Sequence, residues 1–318
     1  MATATAAPGV ETYEGRSPLK IAFVALGWTV LILFAALEIF PFVFTVANSF
    51  KCLPAVQTYP RSLIPMPPFG VACETDAGAS RPPSEVSNEV TFNPTLQGYE
   101  EIADANLPRW LVNTTVFSIA ITIARLAFDS LAGYALARLR FPGNRLIFFT
   151  ILGTMMVPAI VLLIPRFIIL KELDMLNSYQ GLIVPLAVDA FGIFLMKQFF
   201  ESIPLEIEEA AMVDGANRFV MFFRVVLPMA TPALTALAIF SFQGTWNDFL
   251  MPLLILSGNN DLWTLTLGLS YLRGAYGETL RWHAFLAGSV LTTLPLALIF
   301  FYFQRYFVEG ISYSGLKG

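Results

Sequence analysis

Six stretches of apolar residues constrain the fold of this chain more than any other feature of its sequence. A helix that crosses a lipid bilayer needs roughly 20 consecutive apolar residues. Six stretches meet this requirement: 21–47, 110–137, 146–170, 181–200, 228–256 and 283–306. The first is too long for the core of a signal peptide. We therefore predict an all-α polytopic membrane protein with six transmembrane helices.

Composition excludes several classes of protein. Hydrophobic residues make up 56% of the 318 residues and charged residues only 13%, about half the share usual in soluble domains. The net charge is −4, so the chain lacks the basic excess typical of nucleic-acid binding. One His and two Cys give little material for a metal centre. A soluble binding module, a nucleic-acid partner and a metal site are therefore not expected.

Lys and Arg near the ends of the spans predict the orientation. Arg138, Arg140 and Arg145 lie in one short loop, and short basic loops stay in the cytoplasm. Both termini are then cytoplasmic. The predicted organisation is a cytoplasmic tail (1–20), a transmembrane domain (21–308) and a second cytoplasmic tail (309–318). The transmembrane domain includes an extracytoplasmic insertion (51–107) and a cytoplasmic loop (201–228).

The loop 201–228 has the features of a helix–turn–helix. Pro204 suits the first turn of a helix, and the acids that follow favour the positive end of its dipole. Gly215 is a plausible end for this helix, because Gly readily takes the left-handed conformation there. Asn217 can cap a second short helix, and Pro228 marks the start of the next span.

The same loop resembles the "EAA" coupling loop in the membrane subunits of ABC importers. That pattern is Glu-Ala-Ala, Gly after three residues, then nine residues and Ile-x-Leu-Pro. The matching residues are Glu209, Ala210, Ala211, Asp214, Gly215, Leu227 and Pro228, with Val225 in place of Ile. The alternative is an amphipathic connector that matches by chance.

Further motifs resemble the carbohydrate-uptake branch, in particular the maltose-type second permease subunit. Tyr134-Ala-x-Ala-Arg-x-x-Phe-x-Gly143 is similar to its "YAxARxxFxG" stretch, and Trp246-Asn-Asp-Phe-Leu-x-Pro-Leu253 to its "WNxFLxPL". Asn113-Thr114 and the last nine residues also resemble that subunit, although Ser314 occupies a position where Gly is usual. The insertion between the first two spans is longer than in the branch.

The resemblance implies partners rather than chemistry on this chain. Such a subunit pairs with a sister maltose-type permease subunit, and their interface forms the substrate path. Two ATPase subunits dock on the coupling loops and use ATP and Mg²⁺, while an extracytoplasmic sugar-binding protein delivers the substrate. The sequence has no Gly-x-x-x-x-Gly-Lys-Ser/Thr phosphate loop. We therefore expect no bound cofactor and no enzymatic activity of its own, in the cytoplasmic membrane of a prokaryote.

Ionisable residues inside the spans are candidates for function. Arg125 and Asp129 stand four residues apart on one helix face, which favours a structural pair. Glu38 precedes Pro41 and is interpreted as capping a local kink. Asp189 has no obvious partner nearby, and either lines the sugar path or bonds to a neighbouring helix. His283 is interpreted as an interfacial or capped residue.

The fifth span carries the best candidates for substrate contact. Sugars are bound by amides and carboxylates beside aromatic faces, and Gln243, Trp246, Asn247 and Asp248 supply these groups. The alternative is a gating or packing role for Asn247 and Asp248. Cys52 and Cys73 both lie in the predicted outer insertion, where an oxidising environment favours a disulfide.

Two other classes of membrane protein would have different sequence features. A secondary transporter or channel would show inverted repeats and linked ionisable groups through the membrane, and neither is clear in the sequence. An integral-membrane enzyme would need a nucleophile or a His/Asp constellation, which the chain lacks.

Overall fold

The computed structural model describes residues 18–58, 94–272 and 281–315, and all regular structure within them is helical. The first eight helices are α1 (Pro18–Ser49), α2 (Leu53–Thr58), α3 (Gln97–Asp104), α4 (Leu107–Arg138), α5 (Asn144–Met155), α6 (Leu163–Glu172), α7 (Tyr179–Ile183) and α8 (Ala190–Ser202). The others are α9 (Leu205–Val213), α10 (Arg218–Val220), α11 (Leu227–Met229), α12 (Thr231–Trp246), α13 (Leu250–Leu256), α14 (Leu265–Tyr271) and α15 (Trp282–Gly315).

Four helical stretches within the described residues can each cross a membrane, judged by length and apolar composition. They are Ala22–Ser49, Leu107–Arg138, Tyr179–Ser202 and Trp282–Tyr302. Two bent pairs also qualify: Asn144–Met155 with Ala159–Glu172, at 97°, and Arg218–Met229 with Thr231–Trp246, at 78°. The all-helical fold is confirmed, and the predicted six spans are reached when each bent pair is counted as one span.

Three of the predicted spans are not the continuous helices that their apolar composition indicates. The third breaks before Pro158, which disfavours helical backbone in the residue it follows. The fourth breaks between Leu186 and Ala190. The fifth has a bend of 78° at Ala230, between Arg218–Met229 and Thr231–Trp246, and ends at Trp246, so that 250–256 forms the separate helix α13.

Helix α4 is the centre of the bundle. It packs against α8 and α12, while α15 packs against α1, α3 and α12. At the end of α4 nearest 201–228, hereafter the loop end, the core includes Tyr134, Phe200 and Phe222. At the opposite end, hereafter the far end, it includes Trp110 and Trp263. In contrast, none of the apolar window in α1 is buried within this chain.

At the far end, α4 holds the stretch between α13 and α15 by side-chain hydrogen bonds. Asn113 is buried, and its Nδ2 donates to the carbonyl oxygens of Asp261 and Trp263 at 2.8 and 2.9 Å. Thr114 Oγ1 accepts from the N–H of Leu265 at 2.8 Å. The Asn113-Thr114 motif therefore fixes irregular backbone at this end.

His283 is buried at the start of α15 and pairs with Glu101 of α3. Arg281 Nη1 lies 2.6 Å from Glu101 Oε1. Together these contacts join α3 to the first turn of α15. His283 thus lies in a buried contact between two helices, and its interpretation as an interfacial or capped residue stays a prediction.

Candidate functional site

The first helix of the segment 201–228 begins where the sequence predicts. Pro204 has non-helical backbone angles (φ −57°, ψ 135°) directly before α9. Glu206 and Glu208 lie in the first turn, where the positive end of the helix dipole favours carboxylates. Ala210 and Ala211 follow in the interior of the helix, where Ala has the highest propensity.

Gly215 ends α9 in the left-handed conformation, with φ +85°. Its N–H donates to the carbonyl of Met212 at 3.0 Å, and the N–H of Ala216 donates to the carbonyl of Ala211 at 2.9 Å. These two bonds form a Schellman motif. A Cβ at position 215 would meet nothing within 4 Å. Backbone conformation, rather than space, therefore favours Gly here.

Asn217 starts the second half of the segment. Its Oδ1 accepts from the N–H of Val220 at 3.0 Å, so Asn217 caps α10 as predicted. The chain then continues as a π-helical stretch, Met221–Val226, and as α11. Arg218–Met229 is bent by 78° from Thr231–Trp246, so the predicted helix–turn–helix corresponds to α9, the turn at Gly215 and this second arm.

Glu208 fastens the segment to α4. Its side chain is 3% exposed, and Oε1 lies 2.7 Å from Nε of Arg138, the last residue of α4. Arg138 Nη2 also donates to the carbonyl of Ile203 at 2.5 Å. Arg218 Nη1 lies 4.0 Å from the second carboxylate oxygen of Glu208. One arginine therefore holds both the backbone before α9 and a side chain within α9.

Most residues of the EAA pattern are exposed. The exposed positions are Glu209, Ala210, Asp214, Gly215 and Pro228, while Ala211 and Leu227 are half-buried. Two apolar side chains nearby, Val213 and Phe219, are 87% and 75% exposed. Acidic, small and large apolar groups are thus presented together on a segment that is anchored from behind. Such a surface is typical of contact with another protein.

The break at the end of α12 separates the four candidates of the fifth span. Trp246 is buried, and its Nε1 donates to the carbonyl of Thr292 in α15 at 3.1 Å. Gln243 and Asn247 are exposed, and Asn247 Nδ2 donates to the carbonyl of Gln243 at 3.1 Å. In this chain Trp246 therefore packs between helices, whereas the two amides remain accessible.

Asp248 lies in the break itself and is half-buried. Its Oδ1 accepts from the N–H of Met251 at 3.3 Å, which caps the start of α13. Its carbonyl accepts from Thr266 Oγ1 at 2.6 Å. Asp248 and Leu186 line the same small cavity, so the breaks of the fourth and fifth spans lie beside each other.

Asp189 caps α8. Its Oδ2 accepts from the N–H of Gly192 at 3.3 Å, and its own N–H donates to Oδ1 of Asp129 in α4 at 3.0 Å. Arg125 Nε donates to the carbonyl of Leu186 at 2.9 Å. The expected structural pair of Arg125 and Asp129 is therefore replaced by two separate contacts with the fourth span.

The remaining candidates lie towards the far end or in α1. Cys52 is buried, but Cys73 lies outside the described residues, so their disulfide stays a prediction. Glu38 is exposed on α1, which runs through Pro41 as one helix. Within the described residues, no group of three His, Cys, Asp or Glu side chains is arranged to hold a metal ion.

Comparison with known proteins identifies the family. Residues 130–313, more than half of the chain, match the family described as "Binding-protein-dependent transport system inner membrane component". The chain belongs to this family. This membrane component is 37% identical over 209 residues to the arabinooligosaccharides transport system permease protein AraQ of Halalkalibacterium halodurans, covering 66% of this chain and 74% of that protein.

A second relative and a solved structure also resemble this chain. The membrane component is 32% identical over 234 residues to the trehalose/maltose transport system permease protein MalG of Thermococcus litoralis, covering 72% of this chain and 84% of that protein. It also matches a chain in the crystal structure of a bacterial ABC transporter involved in the import of the polysaccharide alginate. That match has a TM-score of 0.72 and 23% identity, and covers 92% of this chain and 99% of the other. The resemblance to carbohydrate permeases is confirmed, and these relatives are transport proteins rather than enzymes.

The sequence prediction overlooked the residues that anchor the segment. It singled out Glu209 because that residue belongs to the EAA pattern, whereas the neighbouring Glu208 makes the buried contact. Arg138 was used for membrane orientation and as part of the "YAxARxxFxG" resemblance, but not as an anchor. A signal was present: Arg138 ends a span in the "YAxAR" motif, close to the bilayer boundary, and an arginine buried there requires an acidic partner.

Proposed function

We propose that this chain is one of two permease subunits of an ATP-driven importer that moves a carbohydrate or polyol across the cytoplasmic membrane. The observation that carries the proposal is the exposed surface of the segment 201–228, held from behind by Arg138 and Glu208. A loop that only connected two spans would not need a buried ion pair and a capped turn.

The partners follow from this role. A sister permease of the maltose type would complete the substrate path, two ATPase subunits would dock at the loop end, and a sugar-binding protein would deliver substrate at the far end. ATP and Mg²⁺ would be bound by the ATPases. The loop end is then cytoplasmic, with both termini on that side.

Coupling would work through the exposed face of α9. Glu209 and Ala210 fit against a groove of the ATPase, with Glu209 making a polar contact and Ala210 allowing close approach, while half-buried Ala211 packs against the core at the loop end. The turn at Asp214-Gly215 sets the direction of the chain after α9, and Leu227-Pro228 leads into the fifth span. Movement of the groove is thereby passed to the spans.

The substrate path would involve the breaks of the fourth and fifth spans. Gln243 and Asn247 are exposed on this chain, which suits groups that line an interface with a sister subunit. Asp189 and Asp248 both cap helices at these breaks. We assign them to shaping the path, with Trp246 packed behind it.

Reconstitution of the complete complex tests the proposal. The permease pair, the ATPases and the binding protein are placed in proteoliposomes, and uptake of the sugar that best raises the melting temperature of the binding protein is measured. We expect uptake only with ATP and the binding protein, and inhibition by vanadate. Uptake driven by an ion gradient without ATP would instead identify a secondary transporter.

A further inference from the structure

Two side chains of α4 bind the backbone on either side of the break in the fourth span. Arg125 Nε donates to the carbonyl of Leu186, just before the break, at 2.9 Å. Asp129 Oδ1 accepts from the N–H of Asp189, just before α8, at 3.0 Å. Because Arg125 and Asp129 are one helical turn apart, the same face of α4 makes both contacts.

The surroundings of Asp129 do not suit a negative charge. The residue is fully buried, and among the described residues its Oδ2 has no hydrogen-bond partner. This oxygen lies against Gly192 of α8: a Cβ at that position would be 2.1 Å from Oδ2 and 2.9 Å from Cδ1 of Leu237. An unpaired carboxylate in a membrane interior is costly, and such groups usually take up a proton. Arg125 is occupied with a carbonyl rather than with this carboxyl group.

We infer that Arg125 and Asp129 form a clamp that fixes the break of the fourth span on α4, and that Asp129 acts in this clamp as a neutral acid. The required feature of Asp129 is an acceptor oxygen for the N–H of Asp189. Arg125 supplies the matching donor for the carbonyl of Leu186. Both are positioning residues, since they act through the backbone of the fourth span.

The clamp has a place in the transport cycle. Helix α8 runs from the break to Ser202 and so connects the clamp with the anchored start of α9. Gly192 allows α8 to approach Asp129 closely. With the start of α8 held on α4, a displacement of the segment 201–228 would turn α8 about the clamp and move Asp189. This consequence rests on the proposed function, whereas the clamp itself does not.

Substitutions at position 129 separate charge from hydrogen bonding. Asp129→Asn keeps the acceptor oxygen without the charge, and Asp129→Leu removes the acceptor. In the reconstituted complex we expect Asp129→Asn to transport within about twofold of wild type. Asp129→Leu should lower uptake at least about tenfold while ATP hydrolysis continues. Ser130→Ala is the control, because the hydroxyl of buried Ser130 bonds, within the part of the chain that the structure describes, only to the carbonyl of Leu126 in its own helix.

Substitutions at Arg125 give an independent test in case Asp129→Leu does not fold. Arg125→Lys keeps a donor and should restore much of the transport lost in Arg125→Met. Loss of transport in Asp129→Asn equal to that in Asp129→Leu would overturn the neutral acid. Normal transport in both Asp129→Leu and Arg125→Met would overturn the clamp.

The melting temperatures of variants of the purified complex test the clamp even if the proposed transport function is wrong. The shifts in melting temperature of Arg125→Met and Asp129→Asn should add, because Asn keeps the acceptor. Those of Arg125→Met and Asp129→Leu should be non-additive, because both remove support from one break. Additive shifts in the second pair would contradict a shared clamp.

Discussion

In the segment 201–228 the turn and the caps are made by residues of the segment itself, whereas the breaks in the fourth and fifth spans depend on side chains from other elements. Gly215 and Asn217 form their contacts within a few residues. The break of the fourth span has a local cap from Asp189, but it also uses Arg125 and Asp129, which lie some 60 positions away in the chain. Local turn chemistry can therefore be read from the sequence, while a break supported from a distance cannot.

The largest expected effect comes from Arg138, whose contacts with the segment 201–228 are not local. Arg138→Met would leave Glu208 buried without its main partner, with Arg218 at 4.0 Å. Removing one member of a buried pair costs about 3–5 kcal/mol. We expect the segment to detach from α4, with loss of ATPase in a pull-down and loss of uptake.

Arg140→Met is the matched control for this substitution, because Arg140 is exposed in the same short loop. It should retain both the ATPase and uptake. Full retention of the ATPase in Arg138→Met would show that the local caps suffice, and that the ion pair does not anchor the segment.

Local caps and distant side chains hold the non-helical parts of this chain, and a disulfide in the predicted outer insertion would be a third kind of support. Cys52 is buried, and a disulfide with Cys73 would close a loop of about 20 residues, which stabilises by about 3 kcal/mol in the chain-entropy model. We expect mass spectrometry of non-reduced, alkylated protein to show a cross-linked peptide pair. Alkyl label on both residues without prior reduction would exclude the bridge.

Gly215→Val tests how far the local turn alone directs the segment. A β-branched residue at φ +85° costs about 1–2 kcal/mol, and it meets no steric obstacle. We expect the spans to remain inserted and the sister permease to stay bound, but the ATPases to be released or to hydrolyse ATP without transport. Glu209→Ala should give a milder form of the same defect.

Gly143 supplies a control with the same backbone strain, because it has φ +86° and equally open surroundings. Gly143→Val should destabilise the complex by a similar amount without uncoupling ATP hydrolysis from uptake. Wild-type coupling in Gly215→Val would rule out a special role for the turn. Loss of coupling in both Gly215→Val and Gly143→Val would show that the defect is a general effect of backbone strain.

The smallest effect is expected at the break of the fifth span. Asn247 is exposed, and among the described residues it bonds only to its own helix, so Asn247→Ala should leave the melting temperature unchanged. A lost hydrogen bond to a neutral sugar would weaken apparent affinity by about 1 kcal/mol. Asp248→Ala should lower both the melting temperature and the apparent affinity, because Asp248 also caps α13. Normal uptake kinetics in both variants would remove these residues from the substrate path.

The difference between local contacts and contacts from distant parts of the chain explains what the sequence could predict. Apolar stretches determine the helical class and the approximate spans, because lipid leaves few other solutions for the backbone. Composition does not reveal where a span breaks: α12 ends at Trp246 although apolar residues resume at Phe249. The position of Arg138 signals the need for an acidic partner, but its pairing with Glu208 joins residues 70 positions apart, so the sequence does not name that partner. Asp189 is a candidate from the sequence and caps α8 locally, but the bond from its N–H to Asp129 joins residues 60 positions apart.

Site-specific photo-crosslinking tests the proposed docking surface most directly. A photoreactive amino acid replaces Val213, which is 87% exposed at the end of α9, and in a control replaces Leu96, which is 56% exposed before α3 at the far end. In transport-active complexes, we predict an adduct with the ATPase subunit from position 213 and none from position 96. If position 213 gives no ATPase adduct, or if position 96 gives the same yield, the segment 201–228 is not the surface on which the ATPase docks.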